Sequence, residues 1–99
     1  MNPKLLVDLG NSTIVMAMSM PSETFIRRTV QHNRDIDRKT LDRTVTELIS
    51  EASISPSACA LCSVVPQMTD RLIDWVSARY GLSVFLLAPG TRIGMLILY

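Results

Sequence analysis

Asp8-Leu9-Gly10-Asn11-Ser12 is the stretch whose residue types and spacing suit chemistry on a phosphate. Gly10 removes a side chain, so the backbone can approach an oxyanion closely, and successive turn amides can form a small anion-binding nest. Asn11 and the hydroxyls of Ser12 or Thr13 add donors. Asp8 suits a hydrated magnesium ion, which keeps several waters and bridges phosphate oxygens. Phosphoryl transfer relies on this kind of positioning and charge neutralisation. A plain hairpin with an Asx-type turn accounts for the same five letters.

The elements around this stretch follow from periodicity. Residues 4–9 form a short apolar run that ends in the turn dipeptide Gly10-Asn11, where glycine permits positive φ and asparagine tolerates left-handed geometry. Strands at 12–18 and 24–30 complete a three-stranded antiparallel meander. Leu41, Val45, Leu48, Ile49 and Ala52 then fall on one helical stripe, with Asp37 or Thr40 available as N-cap. A fourth strand at 58–65 is closed by Pro66. A second helix at about 67–80 places Met68, Leu72, Trp75, Val76 and Arg79 on one side, and Gly81 stops it. A fifth strand spans 82–87, and Ala88-Pro89-Gly90 turns the chain. The order β-β-β-α-β-α-β is that of a ribonuclease-H-like α/β domain, with helices covering a mixed sheet.

Composition narrows the function classes. The chain has 99 residues, 47% of them apolar, enough for one core that buries roughly two thirds of the unfolded surface. Ten Lys+Arg face nine Asp+Glu, which gives no electrostatic footprint for nucleic acid. The opening 20 residues are interrupted by Asp8, Gly10 and Asn11, short of the about 20 apolar residues of a membrane span. No targeting segment is evident, so no membrane partner and a cytoplasmic location are expected. Cys59 and Cys62 lie three apart on a strand, so their side chains point to opposite faces and read as buried reduced thiols. His32, the lone histidine, reads as a solvated loop residue. Asp35, Asp37 and Asp42 read as capping and surface charge, and no carboxylate cluster of the nuclease kind is evident.

Three segments together resemble the type III pantothenate kinases (Bvg-accessory-factor-like proteins) of the actin-like ATPase and sugar-kinase superfamily. Leu5-Leu6-Val7-Asp8-Leu9-Gly10-Asn11-Ser12 is similar to the family's D-x-G-N-T phosphate loop. Cys62-Ser63-Val64-Val65-Pro66-Gln67-Met68-Thr69-Asp70-Arg71-Leu72 resembles its S-S-V-V-P-x-x-T stretch. Pro89-Gly90-Thr91-Arg92-Ile93-Gly94-Met95-Leu96-Ile97-Leu98-Tyr99 resembles P-G-x-K-T-G-x-x-I-x-Y. Ile93 and Leu98 depart from the pattern, and Ser12 for threonine keeps the hydroxyl.

The resemblance implies ATP-dependent phosphorylation of pantothenate, the first step toward coenzyme A, by a homodimer. Asp8, Leu9, Gly10, Asn11 and Ser12 would hold ATP phosphates and Mg²⁺, with Thr13, Ile14 and Val15 flanking. Tyr99 would line the pantothenate pocket. The family's general-base aspartate and its second phosphate loop, which helps bind a monovalent cation (K⁺ or NH₄⁺), have no counterpart in residues 1–99. The chain therefore reads as an N-terminal nucleotide-phosphate-binding lobe, truncated in an apolar run, with no catalytic residue of its own. The alternative is a non-catalytic interaction or regulatory module on the same fold.

Overall fold

A computed structural model of the chain describes residues 3–19, 25–32 and 37–87. The turn at 88–90, the motif at 89–99 with Tyr99, and Asp35 lie outside the described residues. Seven elements follow in order: β1 (Lys4–Leu9), β2 (Thr13–Ser19), β3 (Phe25–Gln31), α1 (Arg38–Ala52), β4 (Ala58–Ser63), α2 (Pro66–Tyr80) and β5 (Val84–Leu87). They build one five-stranded sheet in the order β3-β2-β1-β4-β5. β1–β2 and β2–β3 pair antiparallel, while β1–β4 and β4–β5 pair parallel. This is the expected mixed sheet of a ribonuclease-H-like domain.

β1 is the central strand, and its alternate residues face opposite sides of the sheet. Leu5, Val7 and Leu9 point to the helix-covered face. There, with Ile14, Met16, Cys59 and Leu61, they meet Leu41, Val45 and Leu48 of α1 and Met68, Leu72 and Trp75 of α2. Each such large side chain, fully buried, contributes about 1.5–3 kcal/mol. Leu6 points to the opposite face with Ala17 and Cys62, against half-buried Val15, Ala60 and Leu87. The two cysteines thus occupy opposite faces, both buried and unlinked. Burial pushes the Cys59 thiol up to about 12, which makes it inert at neutral pH.

The helices begin and end for local reasons. The Asp37 carboxylate accepts from the backbone amides of Lys39 and Thr40 at 3.2 and 3.3 Å, so Asp37 is the cap of α1. Thr40 instead donates its hydroxyl to that carboxylate at 2.7 Å. Ser53 terminates α1 in the left-handed region at φ 57°. Pro66 is the first residue of α2 rather than the end of β4, a position where its missing N–H leaves no extra gap. β4 stops at Ser63 because the Ser63 hydroxyl accepts from the Val65 amide at 3.0 Å and turns the chain. Gly81 ends α2 at φ 66°, as expected.

Polar links tie β3 to α1 and α1 to α2. Arg28 of β3 pairs with Glu51 of α1. Asp42 of α1 accepts from the Tyr80 hydroxyl of α2 at 2.6 Å and from Arg79 Nε at 3.1 Å. Arg79 is therefore exposed rather than on the apolar stripe, and its guanidinium sits 5.4 Å from the Tyr80 ring centroid. Tyr80 in turn meets Trp75 edge-on at 5.4 Å. Asp42 is a tie between helices, more than the surface charge its context suggests.

The Tyr80 bond, then Arg79, hold the Asp42 carboxyl below the usual carboxylate range. A depressed carboxyl adds stability above its ordinary pKa of about 4 and loses it as pH falls through the lowered folded value. Tyr80→Phe is expected to lower the thermal midpoint by a few degrees at pH 7 and by clearly less at pH 3. Thermal melts at both pH values check this, and an equal loss at both would disconnect Asp42 from the effect.

Candidate functional site

The parallel strands β1, β4 and β5 all finish at one edge of the sheet, at Leu9, Ser63 and Leu87. Ligands in open α/β sheets gather outside such carboxyl ends. β1 runs into the bend that returns as β2, and β4 runs into α2. The Val64 amide donates to the Leu9 carbonyl at 3.0 Å and ties the two exits together. Beside them lies a shallow pocket of about 340 Å³ lined by Ser63, Pro66, Thr69, Asp70, Leu86 and Leu87. In its wall Thr69 Oγ1 lies 2.8 Å from Ser63 Oγ and 3.0 Å from the Val65 carbonyl.

Asp8 sits one residue before the end of β1, on the face that the helices do not cover. Its register partners are Val15 on β2 and Cys62 on β4. The carboxylate is half-buried, and among the described residues it has no hydrogen-bond or ion-pair partner. Desolvation by these apolar neighbours raises its pKa. The same crowding, then the charge of Asp8, raises the thiol of Cys62.

The bend differs from the expected nest. Neither Gly10 nor Asn11 has a positive φ; among the described residues only Ser53 and Gly81 do. At Gly10 the constraint is space instead: a Cβ there would lie 3.3 Å from the Thr13 carbonyl oxygen, a tight approach. Its amide is committed to that same carbonyl at 2.8 Å. The amides of exposed Asn11 and Ser12, by contrast, have no acceptor among the described residues. The donors left for a ligand are therefore these two amides and the Asn11, Ser12 and Thr13 side chains.

The other expected residues sort by face. Leu9 and Ile14 are buried at 0% and 1% exposure on the helix side, so only their backbone borders the bend. Val15 lies beside Asp8 on the open side. His32 corrects the solvated-loop reading. It is half-buried, its ring Nε2 lies 2.7 Å from the Gly10 carbonyl, and its amide donates to the Ser12 carbonyl at 2.9 Å. The signal was present in the meander: pairing Thr13 with Gln31 sets residue 32 opposite residue 12.

A profile of the family described as type III pantothenate kinase matches residues 4–99. The chain belongs to the type III pantothenate kinase family. Comparison with curated protein sequences returned no match. Among solved structures, the chain is similar to a ROK hexokinase from Thermus thermophilus, at TM-score 0.64 and 17% identity over 86% of this chain and 33% of that one. A ROK glucokinase from Streptomyces griseus, in complex with glucose and AMPPNP, matches at TM-score 0.63 and 15% identity over 85% and 32%. The ethanolamine utilization protein EutJ from Carboxydothermus hydrogenoformans matches at 0.60 and 15% over 88% and 36%. At these identities the likeness establishes the fold, and this pantothenate kinase family member spans about a third of each of those chains.

A carboxyl whose folded pKa is raised costs stability wherever it is charged, so the cost appears as pH rises through the carboxylate range of about 4 and persists at pH 7. Asp8→Asn is therefore expected to raise the thermal midpoint of the unliganded chain at pH 7 and to leave it unchanged at pH 3. Destabilisation at pH 7 would mean that the carboxylate is satisfied in the fold.

Proposed function

We propose that the protein phosphorylates pantothenate at the expense of ATP, and that residues 1–99 form the N-terminal lobe carrying the first nucleotide-phosphate loop. One observation carries the reading: a half-buried carboxylate one residue before the end of β1, with no partner among the described residues, stands next to a bend whose Asn11 and Ser12 amides find no acceptor among them. Membership of the family and the AMPPNP held by the glucokinase of like fold support ATP as the donor.

In this reading the Asn11 and Ser12 amides and the Ser12 hydroxyl take phosphate oxygens of the nucleotide. Asp8 would hold the accompanying Mg²⁺. A lone, half-exposed carboxylate suits that ion, which is normally bound by one or two carboxylates plus substrate phosphates. When bound, Mg²⁺ supplies charge neutralisation at the phosphate oxygens. The pantothenate hydroxyl attacks the γ-phosphorus, the β–γ bridging bond breaks, and the hydroxyl proton passes to a base that the family resemblance assigns outside residues 1–99. Tyr99 as part of the pantothenate pocket, a monovalent cation, a cytoplasmic homodimer and the absence of nucleic-acid or membrane partners belong to the same proposal.

Calorimetric titration of AMPPNP into the chain, with and without magnesium, is the test. Magnesium-dependent binding is expected in the wild type, at least tenfold weaker in Asp8→Asn. A wild type with no magnesium-dependent binding would overturn the reading and favour an interaction module.

A further inference from the structure

We infer that His32 is a positioning residue for the phosphate loop, holding the Gly10–Asn11 peptide so that the Asn11 amide faces the ligand. The inference rests on the nucleotide-loop reading and adds to it the residue that follows β3.

A carbonyl oxygen only accepts, so the 2.7 Å contact requires the His32 ring to carry hydrogen on Nε2 and donate it to Gly10. The backbone amide of the same residue donates to the Ser12 carbonyl at 2.9 Å. His32 thus grips the carbonyls on both sides of Asn11. In a planar trans peptide the N–H points opposite to the C=O. With the Gly10 carbonyl turned toward His32, the Asn11 N–H is aimed away from it and has no protein acceptor among the described residues.

Nothing within the bend replaces this hold. No bend residue has the positive φ that would fix amide directions locally. The bond found between the two ends of the bend runs from the Gly10 amide to the Thr13 carbonyl and leaves the Gly10 carbonyl to the imidazole. An amide already aimed at its ligand avoids an ordering cost on binding. Removing the ring donor sets the Gly10–Asn11 peptide free to rotate and restores that cost.

The pair His32→Met and His32→Gln separates donation from packing, since both fill similar space and only glutamine offers an N–H at comparable reach. Two readouts are taken on the same samples: the ¹⁵N relaxation order parameter of the Asn11 amide without nucleotide, and AMPPNP affinity with magnesium. His32→Met is expected to drop the order parameter below about 0.6, against about 0.85 for rigid backbone. It is also expected to weaken AMPPNP about tenfold, while His32→Gln stays within about threefold of wild type. An unchanged order parameter and affinity in His32→Met, or equal losses in both variants, would overturn the inference. If the wild type binds no AMPPNP, the nucleotide-loop reading fails, and an Asn11 amide still ordered in His32→Met would independently remove the grip assigned to His32.

Discussion

β1 pairs antiparallel along one edge and parallel along the other, and the rest of the domain depends on that double pairing. The antiparallel edge allows the chain to turn back within a two-residue bend, as only antiparallel neighbours can. The parallel edge requires β4 to arrive by a crossover through α1 and to leave into α2 from the same end of the sheet. The bend and the start of α2 are therefore neighbours by construction, joined by the bond from the Val64 amide to the Leu9 carbonyl. A carboxylate one residue before that junction inherits a location where backbone donors converge.

Burial assigns different duties to alternate residues of the same six-residue strand. Leu5, Val7 and Leu9 anchor both helices, so β1 cannot shift by one residue without expelling them from the core. That fixed register sends Leu6 and Asp8 to the other face. The same alternation in β4 places Cys62 beside Asp8 while Cys59 enters the core. The raised Asp8 carboxyl is thus a consequence of the alternation that stabilises the core. A fold selected for stability alone would have no reason to keep a carboxylate with Val15 and Cys62 as its neighbours.

Element order, both helices and the split of the two cysteines across the sheet were legible in the sequence because each rests on a period, of two or of 3.6 residues, that local residue types display. The cap of α1, Asp37 or Thr40 by sequence, and Gly81 as the stop of α2 were legible because helix ends carry their own residue preferences. Of the misread features, some depend on local contacts and some on pairs distant in sequence. Pro66 reads as a strand terminator until α2 is seen to begin on it. Arg79 falls on the apolar stripe by spacing, yet Asp42, on the other helix, draws it out to the surface. The conformation of the bend was also misread: Gly10-Asn11 suggests left-handed backbone, whereas the restriction at Gly10 is the 3.3 Å approach of the Thr13 carbonyl. His32 reads as a loop residue because its two partners lie about twenty residues upstream, and only the β2–β3 register brings them to it.

A bend with left-handed residues would carry its amide directions in its own φ and ψ angles, and glycine or asparagine would suffice to keep them. This bend lacks such residues, so the orientation of its peptides is a tertiary property. It has two sources: the Gly10–Thr13 closure, which consumes one amide, and the grip from β3, which turns two carbonyls aside. The meander then does more than widen the sheet. Without β3 there would be no residue at the height of Asn11 to hold the carbonyl on which its amide direction depends. A domain that only needed a covered sheet could end its first hairpin at β2. A bend whose Asn11 and Ser12 amides, like the neighbouring Asp8 carboxylate, find no partner among the described residues keeps its peptide directions only with the third strand and a donor just past its end.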